Sequence, residues 1–293
     1  MCDELTEAEN AAWLSRRQFG AMGASAAVMA TVPGCMAQPS GMAASGALPT
    51  TARAVTITTP DGKADAWFVA PETGKHPAVI MWPDIAGLRA AYKTMAARLA
   101  SAGYAVLVVN HYYRGAVAPV LDSLVAWRTP EGQAKLKPLI AGITPEGTVR
   151  DASAFVGWID GQVEVDTARK IGTCGYCMGG PYTVRTAFAQ PARVGAAASF
   201  HGAGLVGDGA DSPDKLIAKT QAAFLFAIAQ NDDASAPADK DALRAAAKAA
   251  GRPAEVEVYP APHGWCTIDA PIYDKEQAEK AWGRMLALYA ANL

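Results

Sequence analysis

Short apolar runs alternate with helical patterns along the chain from about residue 55 to the C-terminus. Runs of four to seven residues predict strands at residues 55–58, 64–69, 78–82, 105–110, 170–174, 196–200, 223–229 and 255–259. Stretches with a period near 3.6 predict helices at residues 92–102, 149–160, 179–189, 239–250 and 274–291. Such alternation predicts an α/β fold: a mostly parallel, doubly wound sheet with helices on both faces.

Two segments depart from this alternation. The first two strands flank Pro60-Asp61-Gly62, a turn signal, and we expect them to form an antiparallel hairpin. Residues 115–147 carry four prolines and predict a loop-rich insertion near a site. No internal repeat and no second domain boundary interrupt the pattern, so residues 51–293 form one predicted domain.

The N-terminal residues have a different character. An Arg16-Arg17 pair precedes an apolar, small-residue run at 20–32, which predicts an export signal at residues 1–37 and a flexible linker at 38–50. The arginine pair resembles the twin-arginine signal, so we expect a periplasmic protein that meets the export machinery. The run is shorter than the ~20 residues that span a bilayer. A faint lipoprotein pattern makes a lipid anchor at Cys35 the alternative to simple cleavage.

Composition excludes some classes of protein. The 293 residues carry a net charge of −2, which is not the basic field of a nucleic-acid binder. The five cysteines and four histidines are too few and too scattered for a disulfide scaffold or a zinc ribbon. No metal or organic cofactor is implied.

The sharpest motif lies between a predicted strand and a predicted helix. Gly175-x-Cys177-x-Gly179 is the nucleophile-elbow pattern with cysteine in place of serine. The elbow strains the backbone at the nucleophile, and glycines two residues on either side remove the clash. Cys177 would lie at a helix N-terminus, which favours the thiolate, and the N–H of Met178 would face an oxyanion.

The elbow predicts an acid and a histidine later in the chain. Asp232 follows one apolar strand, and His263 follows the next. Two other histidines precede the nucleophile, and no suitable acid lies between Cys177 and His201. We therefore predict His263 as the base, oriented by Asp232, with Asp233 as a competing acid.

Two other functions are compatible with the same residues. Cys174-x-x-Cys177 has the spacing of a thiol–disulfide motif, and an exported protein meets an oxidising compartment. A hydrolase fold without activity, used only for binding, is the other alternative. Cys174 falls inside the predicted strand, where a side chain is buried, and this favours the hydrolase.

The Gly-Tyr-Cys-Met-Gly-Gly sequence at 175–180 resembles the dienelactone hydrolase family of α/β-hydrolases, and the resemblance extends from about residue 55 to the C-terminus. It implies hydrolysis of a small-molecule ester or lactone through a thioester on Cys177. It also implies that Asp84 pairs with the resting cysteine and that the N–H of Ile85 completes the oxyanion hole. The family usually has glutamate at the position of Asp84.

The resemblance also suggests substrate contacts. Arg114 matches an arginine that holds the substrate carboxylate, and Tyr112 in the same segment is a further candidate substrate contact. His201 matches an aromatic residue at the lip of the pocket. Trp265, beside His263, is another candidate substrate contact, in a stretch that lacks the family's second carboxylate-binding arginine.

Overall fold

The computed structural model describes residues 46–293. The predicted export signal, its cleavage site and the lipid anchor at Cys35 lie outside the described residues. Within the described residues, no helix has both the length and the apolar character that crossing a membrane requires.

The centre of the fold is an eight-stranded sheet with the order β1-β2-β4-β3-β5-β6-β7-β8. Its strands are β1 Thr50–Thr59, β2 Gly62–Pro71, β3 Ala78–Trp82, β4 Ala105–Val109, β5 Ile171–Tyr176, β6 Val194–Phe200, β7 Ala223–Ala229 and β8 Ala254–Tyr259. The β1–β2 hairpin is antiparallel, as the turn at Pro60-Asp61-Gly62 predicts, and β2 also runs antiparallel to β4. The other neighbours are parallel, so their carboxyl ends meet at one edge of the sheet.

Helices cover both faces of the sheet. They are α1 Ala90–Ser101, α2 Pro130–Ala141, α3 Pro145–Asp160, α4 Gly180–Ala189, α5 Pro213–Leu216, α6 Gln230–Ser235, α7 Asp239–Ala249 and α8 Lys275–Asn292. Side chains of α3, α4 and α7 pack in the core on one face, and side chains of α1 and α8 pack on the other. The predicted doubly wound α/β architecture, a mostly parallel sheet with helices on both faces, is confirmed.

Strand residues alternate between the two cores because successive side chains point to opposite faces. In β3, Ile80 and Trp82 join the core beneath α3 and α4, whereas Val79 and Met81 join the core beneath α1 and α8. Cys174 of β5 belongs to the second core. Burial on both faces explains why these strands read as continuous apolar runs.

The insertion at residues 115–147, here called the cap segment, is more ordered than the sequence predicts. It contains a 3₁₀ helix, Leu124–Arg128, and the twelve-residue α2. The prolines mislead because Pro130 and Pro145 occupy the first positions of α2 and α3, where proline is favourable. Thr129 and Thr144 cap these helices by accepting from backbone N–H groups.

Candidate active site

Cys177 lies on a strained turn between β5 and α4. Its φ of 53° is in the left-handed region, which side chains rarely adopt. A Cβ on Gly175 would lie 2.1 Å from the carbonyl oxygen of Gly179, and one on Gly179 would lie 2.4 Å from the carbonyl oxygen of Trp82. The structure thus has the elbow, and the steric need for both glycines, that the sequence predicts.

His263 and Asp232 meet at the carboxyl edge of the sheet. The Nδ1–H of His263 donates to Oδ2 of Asp232 over 2.7 Å. Asn231, a neighbour of Asp232 that sequence reasoning missed, accepts from the backbone N–H of His263 over 2.8 Å. Asp233, the competing acid, instead binds Nζ of Lys240 over 2.6 Å. Of the two carboxylates, Asp232 is therefore the one that orients the imidazole.

The charge of His263 depends on Cys177. Burial lowers the pKa of His263, but the charge of the Cys177 thiolate, the charge of Asp232 and hydrogen bonds to both outweigh it and raise the pKa to about 10. An imidazole with this pKa keeps its proton at neutral pH. The arrangement therefore favours a thiolate–imidazolium pair over a neutral thiol and imidazole.

His201 contacts the backbone of the candidate nucleophile. Its Nδ1 accepts from the backbone N–H of Cys177 over 3.1 Å, and its ring centroid lies 4.7 Å from that of His263. Burial and then the charge of His263 hold the pKa of His201 well below its usual range. The neutral ring must carry its proton on Nε2, because Nδ1 accepts. His201 also lines the cavity at Cys177, so its predicted contact with substrate stays a prediction.

The two predicted oxyanion donors are linked by Tyr112. The tyrosine O–H donates to the carbonyl oxygen of Ile85 over 2.8 Å and lies 3.2 Å from Sδ of Met178. Ile85 lines the cavity that contains Cys177. Tyr112 itself is buried, so the structure places it behind the oxyanion residues and not on the substrate side, where the resemblance expects it.

Asp84 lines the same cavity, but its carboxylate is bound elsewhere. Nη1 and Nη2 of Arg89 donate to Oδ1 and Oδ2 of Asp84 over 2.7 and 2.9 Å. The resemblance implies that Asp84 pairs with the resting cysteine. In the structure, the Asp84 carboxylate is bound by Arg89, and Cys177 forms a hydrogen bond with His263. Arg89 was missed by the sequence reasoning, although a lone charge between Leu88 and an Ala-rich helix was the available signal.

Arg114 is not at the cavity. Its guanidinium binds Asp61 over 2.5 Å and Asp151 over 2.8 Å, so its charge is already neutralised by two carboxylates. The expectation of a substrate clamp at Arg114 is therefore not met by the geometry. Trp265, another predicted substrate contact, is completely buried and stacks on Tyr259, with ring centroids 5.1 Å apart.

The walls of the cavity come from two segments, of which the sequence predicts the first, residues 115–147, only as a loop-rich insertion near a site. Leu124, Trp127 and Arg128 of the cap segment form one wall, and the loop at residues 264–272 forms the other. Arg128 makes no ion pair within the described residues. The signal for this wall was the position of the cap segment between β4 and β5, but its helices were not predicted.

Cys174 is remote from the cavity. It is buried in the core under α8, and burial raises its pKa to about 12, against weaker hydrogen bonds from Tyr289 and Tyr176. Among the described residues, Cys174, Cys177 and Cys266 form no disulfide. Because a reactive dithiol needs exposed sulfur atoms with lowered pKa values, the thiol–disulfide alternative is not favoured.

The fold and the strained elbow define an α/β-hydrolase. A family model described as the dienelactone hydrolase family matches residues 64–293, and the chain belongs to this family. It is a hydrolase that acts on esters or lactones.

Several known proteins are similar to the chain. A protein of Methylorubrum extorquens named "Putative carboxymethylenebutenolidase" is 29% identical over 237 residues, which cover 79% of this chain and 78% of the relative. A crystal structure described as a "Putative Dienelactone Hydrolase" from Klebsiella pneumoniae is 26% identical, with a TM-score of 0.70, and the match covers 83% of this chain and 99% of that one. A dienelactone hydrolase-like promiscuous phosphotriesterase from metagenomic libraries shares the fold at 22% identity, with a TM-score of 0.67 over 84% of this chain and 99% of that one.

Proposed function

We propose that the protein hydrolyses an ester or lactone with Cys177 as the nucleophile. One observation carries this proposal: Cys177 is held on the elbow beside an imidazole that Asp232 orients and whose pKa is raised to about 10. A positioned thiolate with an adjacent imidazolium is the activated form of a cysteine nucleophile.

The reaction has two halves. The Cys177 thiolate attacks the carbonyl carbon, and the N–H groups of Met178 and Ile85 stabilise the oxyanion, one such donor contributing ~3 kcal/mol. The carbon–oxygen bond breaks, the leaving alkoxide takes the proton of His263, and a thioester remains. Water then gives a proton to His263 and attacks the thioester, which releases the acid and restores the thiolate.

The leaving-group chemistry indicates the kind of ester. A thiolate is itself a good leaving group, so the first tetrahedral intermediate collapses forward only when the alcohol leaves easily. Enol lactones and aryl esters meet this condition, and amides do not. The names of the relatives refer to lactones, which supports lactones as part of the substrate class.

Replacement of Cys177 tests the proposal. We expect Cys177→Ala to abolish the hydrolysis of p-nitrophenyl acetate, and Cys177→Ser to leave a weak esterase, because a hydroxyl is a poorer nucleophile at neutral pH. Cys174→Ala is the matched control and should keep the activity. Mass spectrometry after acid quench should find one acetyl group on the peptide that contains Cys177.

Two results would contradict the proposal. An unchanged rate in Cys177→Ala would exclude the residue as nucleophile. A fold used only for binding would show no turnover of any lactone or short-chain ester in a substrate panel, and its Cys177 would not react with iodoacetamide near neutral pH.

We also propose that the enzyme acts outside the cytoplasm. Support comes from the Arg16-Arg17 pair and the apolar run that follows it. The twin-arginine route carries folded proteins, so the domain would cross the inner membrane with its elbow already formed. Retention at the membrane through Cys35 is the variant of this proposal that implies a lipid anchor.

A further inference from the structure

Arg89 is the most completely bound charged side chain beside the cavity. Its side chain is fully buried immediately before α1. All five of its N–H donors are used: two on Asp84, two on Asp269 and one on the carbonyl oxygen of Gly87. Burying a guanidinium this deeply costs free energy unless every donor is paired, so the position is built around this residue.

Asp84, one of the two carboxylates that bind Arg89, lies in the same cavity wall as the candidate nucleophile. Asp84 lines the cavity with Cys177, and its Oδ1 also accepts from the backbone N–H of Ala86 over 2.9 Å. A bare carboxylate at this position would repel the thiolate and compete for the thiol proton. The bidentate contact with Arg89 neutralises the carboxylate and engages both of its oxygen atoms.

The hydrogen bonds between Arg89 and Asp269 connect separate walls of the cavity. Nε and Nη2 of Arg89 each donate over 2.7 Å to Asp269, which belongs to the loop after His263. Oδ2 of Asp269 in turn accepts from the backbone N–H of Leu124 over 3.2 Å. One guanidinium therefore connects the turn that carries Ile85, the loop at 264–272 and the start of the cap-segment wall.

We propose that Arg89 is a positioning residue with two separable effects: it withholds Asp84 from the Cys177 thiol, and through Asp269 it holds the walls of the substrate cavity together. The first effect rests on the proposed function of Cys177. It differs from the arrangement that the family resemblance implies, because here both carboxylate oxygens of Asp84 accept hydrogen bonds from Arg89.

The first effect is tested by the pH dependence of Cys177 alkylation with iodoacetamide, followed by mass spectrometry. In Arg89→Met, Asp84 keeps its charge without a partner, and we expect the alkylation midpoint to rise by about one pH unit or more. Arg89→Met with Asp84→Asn removes both charges and should return the midpoint to the wild-type value. A midpoint that stays raised in the double variant would overturn this effect, since a merely structural defect is not rescued by a second substitution.

The second effect is tested by steady-state kinetics. Asp269→Asn weakens the link to the cap segment, and Arg89→Lys keeps the charge but cannot span two carboxylates. We expect about a tenfold rise in KM for a bulky aryl ester in each variant, which corresponds to ~1.4 kcal/mol of binding. In Asp269→Asn, which leaves both Arg89 and Asp84 in place, the alkylation midpoint should stay close to wild type. An unchanged KM in both variants would overturn this effect.

Controls keep the outcomes distinct. Arg98→Lys alters an exposed arginine on α1 that binds Glu279, and it should leave every readout at the wild-type value. If Arg89→Met does not fold, Arg89→Gln takes its place: a raised midpoint that Asp84→Asn restores supports the first effect, and a midpoint at the wild-type value overturns it. Loss of hydrolysis on alkylation of Cys177 tests the proposed function separately, because the midpoint and KM readouts do not depend on that loss.

Discussion

Cys177 occupies a backbone conformation that few side chains adopt, and its surroundings compensate for the strain. Its N–H donates to His201 over 3.1 Å, and its neighbours two residues away have no side chains. The same turn places the sulfur beside His263. The chemistry of the proposed nucleophile is therefore determined within a few residues of the elbow, together with one histidine from a distant loop.

The raised pKa of His263 predicts an unusual pH profile for Cys177. The imidazolium stabilises the thiolate, so alkylation by iodoacetamide should stay fast well below the pKa of about 8.5 of a free thiol. His263→Ala should move the midpoint up to that value or above. Hydrolysis in the wild type should fall as the pH rises through about 10, where His263 loses the proton that the leaving group needs. Equal alkylation profiles in the two proteins would contradict the ion pair.

The neighbouring carboxylates Asp232 and Asp233 provide a matched pair of substitutions. Asp232→Asn removes the acceptor of the His263 Nδ1–H, and we expect kcat to fall by roughly a hundredfold or more. Asp233→Asn loses only a partly exposed contact with Lys240, which contributes less than about 1 kcal/mol to stability. Its kcat should stay close to wild type. Comparable losses in both variants would count against Asp232 as the orienting acid.

At the scale of elements, the cap segment decides what the cavity can recognise. Its 3₁₀ helix, Leu124–Arg128, places on the cavity wall a guanidinium that forms no ion pair with any residue that the structure describes. Arg114, immediately before the cap segment, is instead bound by two carboxylates. The prolines of the segment concealed α2, because Pro130 at its first position looks the same in sequence as a proline in a loop. Arg128 therefore lies where an anionic group of a substrate could reach it, whereas Arg114 does not line this cavity.

Substitutions of Arg114 and Arg128 should have different effects, the first on thermal stability and the second on substrate binding. Arg114→Gln leaves the buried Asp151 without its guanidinium, and we expect a lower Tm, with a loss of ~1–3 kcal/mol, but an unchanged KM. Arg128→Gln should leave Tm unchanged and raise KM for an ester that bears a carboxylate more than for a neutral ester of the same size. Thermal unfolding and kinetics on this ester pair measure both effects. The reverse pattern would restore Arg114 as the substrate clamp.

At the scale of the whole molecule, the proposed export route predicts a location for the enzyme. The full chain, expressed in a bacterium with the twin-arginine pathway, should appear in the periplasmic fraction. Replacing Arg16 and Arg17 by lysine should retain active enzyme in the cytoplasm, because the domain folds before transport. Cys35→Ala distinguishes the two variants of the proposal: only a lipid-anchored protein would move from the membrane pellet to the soluble periplasm. Periplasmic enzyme in the double lysine variant would exclude this route.

The sequence by itself determined the features that depend on local chemistry and chain order. Continuous apolar runs specified the buried parallel strands, and two glycines around Cys177 specified the elbow, since only glycine avoids the backbone contacts there. The order of nucleophile, acid and histidine followed from the order of the strands. These inferences succeed because each depends on residues that are close in sequence or on the regular alternation of strands and helices.

Only the tertiary structure decided which charges meet. Asp232 and Asp233 are adjacent in sequence, and their different partners follow from how α6 begins after β7. Arg89 and Asp269 are 180 residues apart, and nothing local indicates that they pair. Electrostatic partners depend on distances of a few ångströms between elements from different parts of the chain, so the acid, the cavity walls and the pairing of Asp84 emerge only when the sheet brings its loops to one edge.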